Sequence, residues 1–171
     1  MEVTPHLMFC GQCEEAFRFY ERVLGGKIVT MLTYGNSPMA EQVPLGWRDK
    51  IIHASLTVAG GALTGADVLP EQYQRPQGFY VLLGIDQPTD AERVFGSLAE
   101  NGVVGMPLQQ TFWSTRFGVV VDRFGIPWEV SCGQVASRDK RTSTELHMTI
   151  GLHAAQHPNG ANAPMWSVRS C

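Results

Sequence analysis

The sequence lacks any apolar run approaching the roughly 18 residues that a membrane-spanning helix needs, and it lacks an excess of basic side chains. It has 13 Lys and Arg against 16 Asp and Glu, a formal net charge of −3, whereas nucleic-acid binding needs clustered positive charge. Met1 to Pro5 contains neither a basic segment nor the apolar core of a secretory signal. We therefore expect a cytoplasmic protein that binds neither nucleic acid nor membranes.

Cysteine is also scarce, and the four residues do not form the disulfide framework of a small secreted protein. Cys10 and Cys13 form a C-x-x-C motif at a predicted strand-to-helix junction, where a helix N-terminus lowers thiol pKa values. Two acidic residues follow Cys13 at once, and their charge opposes thiolate formation. A redox function for Cys10 and Cys13 is one alternative; two small structural residues at a helix start is the other.

One helical pattern occurs twice, about 75 residues apart. In each copy, apolar residues follow the spacing that places them on one face of a helix. The first copy is Ala16, Phe19, Tyr20, Val23 and Leu24, and the second is Ala91, Val94, Phe95, Leu98 and Ala99. A unit of this length is too long for a solenoid repeat, so it predicts two copies of one small α+β module.

The strand-like segments around each helix predict the order βαβββ in both copies. Thr89 and Glu92 predict a capping box at the start of the second helix. We predict a first module over residues 1–67, a linker over 68–77, a second module over 78–132 and a polar extension over 133–171. Within the extension, Leu146–Leu152 alternates apolar and polar residues, so it is either an added edge strand or part of a flexible segment.

Four parts of the chain resemble the vicinal oxygen chelate superfamily, which includes glyoxalase I, extradiol dioxygenases and bleomycin- and fosfomycin-resistance proteins. The similarity is greatest to its PhnB-like branch. The matching parts are Pro5–Phe9, Cys13–Tyr20 with Leu24–Gly26, Thr111–Trp113 with Phe117–Gly118, and Asp122–Trp128. The resemblance implies that the paired modules form a curved mixed-sheet half-barrel around a cavity, and that the protein is a homodimer.

In metal-dependent members of this superfamily, ligands come from the first and last strands of each module. By motif, these positions fall at His6 and Glu129, and the internal repeat places the other two near Thr64 and Tyr80. Imidazole and carboxylate are good ligands for one divalent metal ion, whereas Thr and Tyr are poor ones. Without a metal, His6 and Glu129 could act as acid and base beside a carbonyl group.

Aromatic side chains predict a cavity for a flat or amphipathic small molecule, to which His53 could add a polar group. The predicted lining residues are Tyr34, Phe79, Trp113, Phe117 and Trp128. PhnB-like proteins are often labelled demethylubiquinone methyltransferases, but neither glycine pair of this chain lies between a strand and a helix N-terminus, as a nucleotide-like cofactor usually requires. We expect no nucleotide cofactor.

Three functions are compatible with these observations. The first is a lyase, isomerase or dioxygenase that acts on a carbonyl-containing substrate, and the second is a protein that sequesters a small ligand without catalysis. The third is the C-x-x-C redox function.

Overall fold

The chain forms two mixed four-stranded sheets, each packed against one helix, in a computed structural model that describes residues 3–134. The first half contains β1 (His6–Phe9), α1 (Cys13–Leu24), β2 (Lys27–Thr33), β3 (Ile51–Val58) and β4 (Gly61–Asp67). The second contains β5 (Val81–Ile85), α2 (Pro88–Ala99), β6 (Val103–Gln109), β7 (Ser114–Val121) and β8 (Pro127–Gln134). The order βαβββ in both halves confirms the duplicated α+β fold.

One boundary of the second half differs from the prediction. Strand β8 continues to Gln134, so the second half includes two residues that we assigned to the extension. The predicted strand over Leu146–Leu152 lies outside the described residues. Between β2 and β3, the chain forms three short 3-10 turns, at Tyr34–Asn36, Ala40–Gln42 and Leu45–Trp47. No helix within residues 3–134 has the length and apolar character needed to cross a membrane.

The two helices begin and end for different reasons. Helix α1 has two glutamates in its first turn, where their negative charges interact favourably with the helix dipole. It is capped at its C-terminus by Gly25, whose φ of 67° suits glycine. Helix α2 begins at Pro88, with Gln87 as its N-cap and no side-chain capping bond. The predicted capping box is therefore wrong. The fixed φ of Pro88 suits the first helical position, and this places Thr89 inside the helix.

Both sheets have the same strand arrangement, in the orders β1-β4-β3-β2 and β5-β8-β7-β6. The first strand of each half pairs in parallel with the last, and the remaining neighbours are antiparallel. Alternate residues point to opposite faces of each sheet, and one of these faces packs against the helix. Gly65 on β4 and Gly118 on β7 allow close helix packing, because a Cβ at either position would lie 2.6 Å from a phenylalanine ring.

A buried carboxylate joins the two halves. Asp122 accepts hydrogen bonds from Tyr20 Oη at 2.7 Å and from Trp128 Nε1 at 2.8 Å, and its other oxygen accepts two backbone N–H groups of the β7–β8 turn. The Tyr20 ring lies edge-on to Trp128, with 5.2 Å between ring centroids. Because Tyr20 belongs to α1 and Asp122 to the second half, this network holds the halves around a shared core.

Candidate functional site

The face of the first sheet away from α1 has a row of polar side chains that crosses all four strands. His6 on β1 is in register with Thr64 on β4, which is in register with Ser55 on β3 and, through it, Thr30 on β2. Residues directly opposite one another on neighbouring strands share a face of the sheet. We call His6, Thr64, Ser55 and Thr30 the polar row, and it offers one imidazole and three hydroxyl groups.

His6 is held at one end of the polar row by its neighbours. Its Nδ1 lies 2.9 Å from Thr64 Oγ1, and its ring stacks with that of His53 at 6.4 Å between centroids and 15° between planes. Burial, followed by the positive charge of a protonated His53, lowers the pKa of His6 below its ordinary value of 6.5. The imidazole of His6 is therefore neutral near pH 7, the form that accepts a proton.

The equivalent face of the second sheet has a row of different chemistry. Leu82 on β5 is in register with Glu129 on β8, which is in register with Val119 on β7 and, through it, Met106 on β6. We call Leu82, Glu129, Val119 and Met106 the apolar row. Glu129 is partly buried and is the only ionisable residue of this row.

The register of β5 corrects one predicted site position. Leu82 pairs with Glu129 as His6 pairs with Thr64, so the fourth position of the paired-module site is Leu82 and not Tyr80. Tyr80 precedes β5 and is half exposed. Sequence reasoning missed Leu82 because the position was transferred by the internal repeat, whereas the register of β5 is set by its pairing with β8.

These four positions do not fit the ligand set of a divalent metal. His6 and Glu129 are suitable ligands, Thr64 is a poor one, and a leucine side chain cannot coordinate. Within residues 3–134, no group of three or more His, Cys, Asp or Glu side chains is arranged to hold a metal ion. His6 and Glu129 lie in different sheets, and no hydrogen bond or ion pair of the described residues joins them.

An aromatic cluster lies at one end of the second sheet. Trp113 contacts Phe112 at 4.3 Å and Phe117 at 5.5 Å between ring centroids, with ring planes 82° and 68° apart. Phe112 is 88% exposed and Trp113 is 46% exposed. Phe117 lies two residues before Val119 on β7, so both side chains lie on the face of the apolar row. Two predicted cavity residues thus lie together beside this row, and Phe112, which we did not predict, adds a third ring.

Other predicted cavity residues lie elsewhere. Trp128 is fully buried on the helix-facing side of β8, where it contacts Tyr20 and Asp122, so the prediction that it lines the cavity is wrong. Alternation along β8 puts neighbouring residues on opposite faces, and Trp128 directly precedes Glu129. Tyr34 lies in the first 3-10 turn and donates its hydroxyl proton to the backbone oxygen of Asp67. Phe79 is half exposed in the segment before β5.

The C-x-x-C motif does not have the properties of a redox dithiol. Cys13 is a free thiol, fully buried, with its backbone N–H donated to the Asp67 carboxylate at 2.9 Å. Burial raises the pKa of the Cys13 thiol far above its ordinary value, and the charges of Asp67 and Glu14 raise it further. These features disfavour the thiolate that redox chemistry requires and support the structural interpretation of the motif.

A surface cleft of about 360 Å³ lies beside the N-terminus of α1, lined in part by Glu14, Arg18, Lys50 and Asp67. Arg18 is paired with Glu14 at 2.7 Å, and Lys50 Nζ donates to the backbone oxygen of Gly11 at 2.9 Å. Asp67 accepts the backbone N–H groups of Cys13 and Ile51. Because these charged groups already bind partners within the protein, the two rows are the better candidate for the functional site.

Comparison with known proteins agrees with this architecture. The sequence model of the Glyoxalase/Bleomycin resistance protein/Dioxygenase superfamily matches residues 4–130. Protein YjdN of Escherichia coli is 34% identical over 139 residues, covering 77% of this chain and 95% of that protein. The crystal structure of protein PA1353 from Pseudomonas aeruginosa is 43% identical, with a TM-score of 0.72, and the match covers 79% of this chain and 99% of that one.

A protein of Bacillus cereus, described as a putative 3-demethylubiquinone-9 3-methyltransferase and PhnB protein, also has a similar structure. It is 25% identical, with a TM-score of 0.67, over 78% of this chain and all of its own. The duplicated halves, the matching strand order and these relatives lead to one conclusion: the chain belongs to the glyoxalase/bleomycin resistance protein/dioxygenase superfamily, in its PhnB-like branch.

Proposed function

We propose that this protein binds a small carbonyl-containing molecule between its sheet faces, with His6 and Glu129 as the polar groups that recognise it. One observation carries the proposal: the corresponding rows of the two halves contain an imidazole and a carboxyl group on the sheet faces that the helices leave open. Superfamily membership supports a small-molecule ligand.

The difference between the two rows favours an amphipathic ligand. The polar row provides hydroxyl groups and a neutral imidazole, which suit the oxygen atoms of a carbonyl or hydroxyl group. The apolar row and the nearby Trp113 and Phe117 rings suit a hydrocarbon or aromatic portion. A ligand with one polar end and one apolar end matches both surfaces, whereas a uniformly charged ligand matches neither.

The chemistry that these groups favour is proton transfer beside a carbonyl. One of the two groups removes a proton from the carbon next to the carbonyl, and the electron pair moves into the C–C–O system. An isomerase then returns a proton to a different atom, and a lyase instead expels a leaving group from the adjacent carbon. His6 is suited to the base role because it is neutral near pH 7.

A homodimer is part of this proposal. His6 and Glu129 have no direct contact within the described part of the chain, and the aromatic cluster of Phe112 and Trp113 is largely exposed. A second copy would bring a further pair of sheet faces to the site and bury these rings. Light scattering of the full chain measures the mass directly: twice the 18.8 kDa of one chain is expected, and a monomer at all concentrations contradicts it.

The main experiment follows carbon-bound protons by NMR in heavy water. The full chain is incubated with α-keto acids and α-hydroxy ketones, and deuterium incorporation or conversion is measured. We expect activity on at least one compound, with losses of about 100-fold or more in His6→Ala and Glu129→Gln, the size typical of an acid–base group. Glu71→Gln, at an exposed carboxylate outside both rows, is the matched control.

Non-catalytic sequestration is the second candidate function, and the presence of only two reactive groups among eight row positions favours it. Tight, saturable binding without turnover, weakened in Glu129→Gln but not in Glu71→Gln, would establish it. Binding that is unchanged in His6→Ala and Glu129→Gln would contradict both functions.

The metal-dependent version of the enzyme needs a ligand that the two rows do not supply. Elemental analysis of protein purified without chelators or an affinity tag tests it. Stoichiometric divalent metal that is lost in His6→Ala and in Glu129→Ala would support a metal site, with remaining ligands from outside the rows. Metal content that is unchanged in both variants would exclude these residues as ligands.

A further inference from the structure

Three polar groups at the start of the polar row form a short hydrogen-bond chain. Thr64 Oγ1 lies 2.9 Å from His6 Nδ1 and 3.1 Å from the backbone oxygen of Pro5. The same backbone oxygen accepts the N–H of Thr64 at 3.0 Å. The Thr64 hydroxyl therefore lies between a histidine nitrogen and a carbonyl oxygen, and its single proton must serve one of them.

We propose that Thr64 is a positioning residue, which holds neutral His6 in the tautomer with its proton on Nδ1 and leaves Nε2 as the atom with the free lone pair. A backbone carbonyl oxygen has no proton to give, so in the contact with Pro5 the Thr64 hydroxyl is the donor. The Thr64 hydroxyl oxygen then accepts a hydrogen bond, and its donor is the Nδ1–H group of His6.

The opposite arrangement is less favourable. If Thr64 donated its proton to His6 Nδ1, the hydroxyl oxygen and the Pro5 oxygen would face each other at 3.1 Å with no hydrogen between them. Two partial negative charges at this distance repel each other. The Nδ1–H tautomer avoids this repulsion and gives both contacts a proton.

This inference deepens the proposed function. Only the role of Nε2 in proton transfer rests on that function; the tautomer itself does not. In the site described above, Nε2 of His6 becomes the atom that accepts a proton from the ligand or donates one after protonation. Thr64 thus occupies a position that the family resemblance assigned to a ligand, but it acts through His6 instead. The His53 ring lies nearly parallel to that of His6, with 6.4 Å between centroids.

The test is nitrogen-15 NMR of histidine-labelled full chain without ligand, at a pH well above the His6 titration. The two ring nitrogens have distinct shifts in each tautomer, and the His6 signals are assigned by their loss in His6→Gln. We expect Nδ1–H to dominate in the wild type. Thr64→Val keeps the shape but removes the hydroxyl, and it should shift the tautomer ratio toward Nε2–H by roughly fivefold or more, as expected for the loss of one hydrogen bond.

Thr64→Ser is the matched control, because it keeps the hydroxyl and should retain the wild-type ratio. A dominant Nε2–H tautomer in the wild type, or equal ratios in the wild type and Thr64→Val, would overturn the proposal. If Thr64→Val does not fold, Thr64→Ala removes the same hydroxyl and takes its place, with the same expected shift toward Nε2–H. The measurement involves no ligand, so its failure is distinct from a failure of the NMR exchange experiment, which tests the function itself.

Discussion

At the residue scale, the buried polar groups of this protein are mostly structural. Asp122 is 4% exposed and accepts four hydrogen bonds, two from the backbone and two from the side chains of Tyr20 and Trp128. Burial raises the pKa of Asp122, while these four hydrogen bonds oppose the rise. The motif around Asp122 that resembles the PhnB-like branch therefore belongs to the shared core and not to either row.

Asp122→Asn should lower the free energy of unfolding by about 2–4 kcal/mol, because the amide nitrogen cannot accept the Trp128 N–H and leaves a buried donor unpaired. Denaturant titration measures the change. Asp86→Asn, at an exposed turn residue, is the control and should change the stability by less than about 0.5 kcal/mol. Equal effects of the two substitutions would show that the Asp122 network contributes little.

His6 should titrate with a midpoint below 6.5 in an NMR experiment, and His53→Gln should move that midpoint upward. The rise should be partial, since burial is the larger cause and remains. Because the folded state binds this proton less readily than the unfolded state, the contribution of His6 favours unfolding as the pH falls from about 6.5 through the folded pKa. A midpoint that does not respond to His53→Gln would contradict the charge interaction.

Cys13 should resist alkylation by iodoacetamide in the native protein between about pH 6 and pH 9, because burial and two nearby carboxylates raise its thiol pKa. Peptide mapping by mass spectrometry identifies the modified residue. The denatured protein, in which Cys13 should react fully, is the control. Rapid native alkylation near neutral pH would instead favour the redox function of the C-x-x-C motif.

At the element scale, local patterns predicted the helices and strands well, and non-local pairing decided what they missed. The apolar spacing of Ala16 to Leu24 was sufficient to place α1, because a helix face depends only on nearby residues. The register of β5 was not predictable in this way. It depends on pairing with β8, far along the chain, and this pairing moved the fourth site position to Leu82. Trp128 was misassigned for the same reason, since alternation alone does not identify the face that a helix covers.

Gly65→Ala should destabilise the protein by about 1–3 kcal/mol, because its new Cβ would meet the Phe17 ring at 2.6 Å and the backbone oxygen of Leu7 at 2.9 Å. Gly84→Ala on β5 is the control, since no atom lies within 4 Å of its Cβ position. Thermal unfolding compares the two variants. A stability loss in Gly84→Ala as large as that in Gly65→Ala would show that strand propensity, and not helix packing, sets the cost.

At the scale of the whole molecule, the two halves share one core although each has its own sheet. Phe19 and Tyr20 of α1 contact Phe124 and Trp128 of the second half, with ring centroids 5.2–6.0 Å apart. Arg93 of α2 also donates to the backbone oxygen of Val23 at 3.0 Å. The four aromatic rings are buried where the two halves meet.

We therefore expect residues 3–134 to unfold in one cooperative transition. Far-ultraviolet circular dichroism and tryptophan fluorescence should give the same unfolding midpoint. Tyr20→Phe should lower the free energy of unfolding by about 1–2 kcal/mol, and the two curves should still coincide. Phe17 also packs in the core but donates no such bond, and Phe17→Leu provides a comparison for packing alone. Two resolved transitions in the wild type would contradict a shared core.

Alternate residues of strand β8 have two different roles, one set in the core and the other on the open face of the sheet. Trp128 and Val130 are fully buried and hold the core, whereas Glu129 and Ser131 lie on the opposite face and are partly accessible. A slip of one residue in pairing would exchange these roles, with a carboxylate placed in the core and an indole in water. Substitutions at every second residue of the strand can therefore change the open face and leave the core intact, whereas a single insertion within β8 would alter both faces together.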